Sequence, residues 1–145
     1  MLETIGLFIL LSGFIIGLGA VTVIDLLGFL GRKSVYWAEA TTRAHKVTKP
    51  LIWLGLLLVI VGGFIFYKDT GFIWNTVYHL ISLPVMLTVG YFLSFIVSPF
   101  LIQREKERKS SDLLPKKWQA WITVAFVFSF IGWWSNLLVL VLFLV

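Results

Sequence analysis

The sequence predicts an all-α polytopic membrane protein: four transmembrane helices in an up-down bundle, with both termini outside. Three observations carry that prediction. The 145 residues are 59% hydrophobic and only 13% charged, with a mean hydropathy of +0.98, whereas a soluble domain is charged at about a quarter of its positions. Four apolar runs reach the length of a membrane span, roughly 17–25 residues. Of the twelve Lys and Arg residues, five fall between Arg32 and Lys49, six between Arg104 and Lys117, and only Lys68 lies elsewhere. Positive loops stay in the cytoplasm, so this asymmetry orients the chain, and it accounts for the net charge of +5 without nucleic acid. The length fits one domain. With no cysteine in the chain, disulfides, thiolate metal sites and cysteine nucleophiles are excluded.

Helix 1 is expected over residues 5–30 and closes on Arg32 and Lys33. It does not read as a secretory signal peptide, because Glu3 stands where a basic region belongs and the apolar run is too long. Residues 34–49 are polar but patterned. Ser34 suits an N-cap, Glu39 and Arg43 are spaced i,i+4, and Tyr36 and Trp37 suit the headgroup layer. They predict a short interfacial helix in the first cytoplasmic loop, with His45 as a solvated residue among cations. Helix 2 follows over 50–67, Pro50 being tolerated in a first turn, and KDTG at 68–71 makes an outer turn. Helix 3 is expected over 72–102, kinked at Pro84, which frees the carbonyl of Leu80, and broken or kinked again at Pro99. The second basic loop has a Glu105–Lys109 pair at i,i+4 and faces anionic headgroups. Helix 4 covers 118–145 after Pro115. It is longer than a span needs, with Trp133, Trp134 and Asn136 inside it, so a tilted or kinked helix is expected and Asn136 needs a partner on another helix.

The polar groups inside these spans are the candidate sites. Asp25 lies about 10 Å inside Arg32 along helix 1. An acid at that depth costs on the order of 2.5–3.5 kcal/mol and is normally protonated, paired or facing a wet cavity. Helical side chains lean toward their N-terminus, so Arg32 leans toward Asp25 and the two form one candidate intramembrane site. Gly13, Gly17, Ala20 and Gly28 fall, with Gly6 and Gly31, in one sector of helix 1. Small residues let backbones approach in lipid, here a helix of the same chain or a second copy. Asn75, His79 and Ser82 lie along one face of helix 3, beside the Pro84 kink. They either bond neighbouring helices or line a small outward pocket, with His79 as the candidate haem ligand. No metal site is expected, since ligands must converge and the two histidines fall at opposite membrane faces. There is no credible catalytic triad, phosphate loop or carboxylate pair, which weighs against an enzyme.

The stretch from Gly17 to Lys33, GLGAVTVIDLLGFLGRK, followed by VTKPLIWLGLLLVIVGG, resembles the first half of small bacterial four-helix membrane proteins related to the CopD-like families. The resemblance covers helices 1 and 2 and rests on Thr22, Val23 and Asp25. It implies a four-helix membrane protein, with b-type haem or copper chemistry in some relatives. Two functions stand open. The first is a non-enzymatic helix bundle in the cell membrane, a scaffold or small transport or ion-coupled component, working as a homo-oligomer or within a larger complex. The second is a redox protein holding b-type haem or quinone at His79, among Trp74, Tyr78, Trp133 and Trp134.

Overall fold

The computed structural model describes residues 1–107 and 113–145. It is all-α. Helix α1 covers Leu2–Gly31, α2 Val35–Phe66, α3 Trp74–Tyr91, α4 Ser98–Lys106 and α5 Lys116–Leu144, and the π-helical turn Phe92–Val97 joins α3 to α4 without a break. That makes four helices long and apolar enough to cross a membrane, of 30, 32, 33 and 29 residues. Each exceeds the roughly 20 residues a bilayer needs.

Helices α1 and α2 form the closest pair, because glycines face each other along both. A side chain on Gly13 would meet the backbone of α2 at 2.6 Å (Val59 N) and 2.7 Å (Gly55 O), and one on Gly55 would meet Gly17 Cα at 2.5 Å. Gly62 abuts the backbone at Leu10 in the same way. Helix α5 packs across α1, where Trp133 lies against Gly17 and Phe126 against Gly28. Ala20 is buried, and Leu10, Phe14, Leu18, Val21, Leu56, Met86, Trp133 and Leu140 form the core. Trp133 meets Phe14 edge-on at 6.1 Å. Phe8, Ile15, Phe64, Ile81 and Leu142 point outward. Along the apolar runs large hydrophobic side chains thus face away from the core, a pattern that suits lipid as the solvent.

The expected separate helix over 34–49 is instead the first half of α2, which runs unbroken through Pro50. An interior proline loses one backbone bond and costs about 3 kcal/mol. Contacts made by the first half offset that cost. Thr42 and Thr48 are buried, Ala38 packs on Gly31, Lys46 bridges to Glu105 at 2.9 Å, and Lys49 donates to the Ser94 carbonyl at 2.9 Å. Ser34 is the N-cap, but its hydroxyl makes no capping bond. Glu39 and Arg43 approach to 3.8 Å at i,i+4. The expected partner of Glu105, Lys109, lies outside the described residues.

The α3–α4 span departs from α geometry at 92–97 and not at Pro84. Pro99 removes the N–H that would close the ladder onto Phe95. The ladder slips to i→i+5, with the Ser98 N–H bonding Leu93 O, and Lys49 takes the Ser94 carbonyl. Helix α5 is continuous through Trp133 and Asn136, and Pro115 is its N-cap, one position ahead of the expected first turn.

Replacing Gly55 by Leu is expected to destabilise the protein by about 1–3 kcal/mol, the cost of overpacking. Gly19→Ala, where a side chain meets nothing within 4 Å, should be neutral. Thermal unfolding in detergent checks the pair; equal stability of both variants would remove the glycine seam from the account.

Candidate functional site

Asp25 stands one turn beyond Val21, on the side of α1 that faces the interior. It is 9% exposed, and neither carboxylate oxygen has a hydrogen-bond partner among the described residues. The expected Asp25–Arg32 pair does not form. The guanidinium lies over the Phe29 ring at 5.6 Å, and no ion pair reaches Asp25 among the described residues. The two residues share a helix face but stand two turns apart, and a long cationic side chain near a helix end extends toward the boundary. Both border a shallow groove between α1 and α5.

Asp25 also shares a smaller space with His45. Its position in α2, one turn beyond the buried Thr42, turns it inward, and its Nε2 is buried without a partner among the described residues. His45 is therefore not the solvated loop residue that the run of neighbouring cations implied. Asp25 and His45 border one enclosed space of about 30 Å³ with Ser94, Ser129, Trp53 and Met86. That is room for about two waters, since one needs at least 10–15 Å³ and two or more polar neighbours. Trp53 Nε1 donates to Ser94 Oγ at 2.9 Å, which orients the serine on that wall. His45 also borders a second space of about 60 Å³, reaching Arg32, Arg104 and Gln119 at the basic end of the helices. The imidazole thus stands between the basic end and the buried acid. The signal for this site was present in Ala38, Thr42, His45 and Lys49, small and polar residues at i, i+4, i+7 and i+11, the spacing of one helix face.

A second polar cluster lies toward the other end. Asn136 Oδ1 accepts from His79 Nδ1 at 2.7 Å and from Ser82 Oγ at 2.7 Å, while Asn136 Nδ2 donates to Gly132 O at 2.6 Å. With its proton on Nδ1, a neutral His79 presents Nε2 as an acceptor, and the Tyr67 hydroxyl donates to it at 3.2 Å. Asn75 donates separately to Val139 O at 3.2 Å. His79 and Ser82 therefore share one partner, Asn136, and Asn75 stands apart from them. The aromatic group that touches the imidazole most directly is Tyr67, with Tyr78 beside it, and Trp133 is in the core.

This geometry does not fit haem. Both ring nitrogens of His79 are engaged, Nδ1 with Asn136 and Nε2 with Tyr67, leaving no lone pair for iron. Among the described residues no three His, Asp or Glu side chains converge on one point.

Asn136→Leu removes the partner of His79 and Ser82 at once. Interhelical hydrogen bonds in membranes average about 0.6 kcal/mol, so a loss of about 1–3 kcal/mol is expected, against less than 1 kcal/mol for Asn75→Leu. Unfolding of the two variants in mixed detergent micelles measures the difference, and equal losses would mean that the Asn136 network adds nothing.

Compared with protein-family models, curated proteins and solved structures, the chain matches none.

Proposed function

We propose that this chain is a non-enzymatic, proton-coupled component of the cell membrane, in which Asp25 binds an exchangeable proton and His45 passes it to and from the basic end. In this reading the four helices cross the bilayer as an up-down bundle. The loops carrying Arg32, Lys33, Arg104 and Lys106 face the cytoplasm and anionic headgroups, as positive-inside asymmetry requires, and both termini lie outside. With four spans, the working unit is a homo-oligomer or a larger membrane complex.

One observation carries the reading: Asp25 and His45 border the same small cavity, and the carboxylate of the one and the Nε2 of the other are buried without partners among the described residues. A carboxylate kept solely for packing would find a donor, because leaving such a group buried and unsatisfied costs several kcal/mol. Acids within membrane spans face the bundle interior or a wet cavity and mark ion pathways and proton relays. The second space, shared by His45 with Arg32 and Arg104, supplies a route to the basic surface.

Asp25→Asn keeps the shape and removes the titrating group. In proteoliposomes loaded with a pH-sensitive dye, the wild-type protein is expected to collapse an imposed pH gradient, and Asp25→Asn to abolish that flux while keeping wild-type thermal stability. His45→Gln should slow it at least tenfold. Flux that survives Asp25→Asn would overturn the proposal, and wild-type protein with no flux but with assembly lost in Asp25→Asn would assign the acid to packing.

A further inference from the structure

Helices α1 and α2 form one hairpin, and the α3–α4 span packs with α5. The hairpins meet where α5 crosses α1 and where the start of α2 touches α4. In their other halves α2 and α3 enclose a gap, bridged at the end of α2 by the bond from Tyr67 to His79. The gap is a cavity of about 340 Å³, within the range of small-molecule sites. Its walls are apolar over most of their area, with Phe14, Ile60, Leu80 and Leu83 among them.

Four of its polar residues gather on one side, and Asn136 lies deeper, against Met86. Tyr67 and Lys68, at the end of α2, stand at the rim, with His79 and Thr76 on the facing helix. The Thr76 hydroxyl is buried and has no hydrogen-bond partner among the described residues. An unsatisfied buried hydroxyl normally signals a missing partner. Lys68 pairs with Asp69 at 3.2 Å, but both side chains are well exposed, at 43% and 67%. Such a pair holds its cation weakly, and the ammonium has two further N–H groups to offer. Thr76 and Lys68 are thus donors at the helix end; deeper in, Asn136 stands beside Met86 with its amide already taken up by His79, Ser82, Met86 and Gly132, and the wall around Phe14 is apolar.

We infer that this cavity binds an amphiphile: an apolar chain or ring whose head carries an acceptor oxygen, the head lying between Lys68 and Thr76 and the body running inward past Leu83. A donor-bearing rim above an apolar body matches a molecule aligned with the surrounding lipid, head at the boundary and tail within. A long-chain carboxylic acid and a prenylated quinone share this chemistry. The carboxylate uses the charge of Lys68, whereas the quinone carbonyl needs only a donor.

The test is equilibrium binding of tritiated oleate to the detergent-purified full chain, with a short-chain ubiquinone analogue and octadecane as competitors. Saturable binding of one oleate or quinone per chain is expected, weakened about tenfold by Thr76→Val, which keeps the shape and deletes the donor. Leu83→Trp should abolish binding by filling the cavity. A further tenfold loss of oleate with Lys68→Gln, and none for the quinone, tells the two sources apart. Absence of saturable binding, octadecane competing as well as oleate, or full affinity in both Thr76→Val and Leu83→Trp would overturn the inference. Because Thr76→Val is nearly isosteric, its result stands even where Leu83→Trp fails to fold.

Discussion

Backbone contact between α1 and α2 is the constraint from which the remaining structure follows. Lipid offers no hydrophobic force between helices, so association rests on close packing and a few hydrogen bonds. Gly13, Gly17, Gly55 and Gly62 let the two helices approach until side chains have no room between them. That closeness carries the α2 helix through Pro50 and brings its first half, with His45, alongside the half of α1 that holds Asp25. Wider spacing would leave Asp25 facing lipid or water. The packing of the hairpin and the burial of the acid are therefore one fact seen from two sides.

The remaining helices are held differently. Across α3 and α5 the contacts are polar and sparse: Asn136 binds His79 and Ser82, and Asn75 binds the Val139 carbonyl. Met86 sits where these systems meet. Its sulfur accepts from Asn136 Nδ2 at 3.3 Å, and it borders both the small space at Asp25 and the large one at Lys68. Methionine is a flexible, polarizable filler. One adaptable side chain is thus part of the wall of both cavities.

Much of this was legible in the residues. Hydropathy and length located four spans, because a bilayer demands about 20 apolar residues whatever the packing. The small-residue stripe of helix 1 marked a packing face, and Asn136, too polar for its place, required a partner on another helix. What escaped was three-dimensional pairing. Arg32 shares a face with Asp25, but a helix rise of about 1.5 Å per residue sets them two turns apart, and no sequence rule says that the guanidinium will prefer Phe29. His45 was hidden by its charged neighbours: composition marks residues 34–49 as a short interfacial helix in a cytoplasmic loop, and packing against α1 is what joins it to the next span through Pro50 and turns His45 inward. Tyr67 as the partner of His79 depends on how α2 ends against α3, which local pattern does not encode. Thr76 carries no signal in sequence at all.

The π-helical turn at Phe92–Val97 has a consequence for the register of everything after it. A π-turn holds one residue more than the α ladder needs, so it advances the helix face by about 100° between Tyr91 and Ser98. That offset brings Ser98, twelve residues beyond Met86, back to within about 20° of the face that Met86 presents to the core, and both are buried. Deleting one residue there would restore ordinary α geometry, swing Arg104 and Glu105 about a quarter-turn round the axis, and break the bridge to Lys46. The basic end would then lose its alignment with His45 even where the residue deleted was Phe92 or Ile96, neither of which lines the spaces beside His45. In an evolving chain, the length of this short segment is a dial on how the two ends of the molecule are phased.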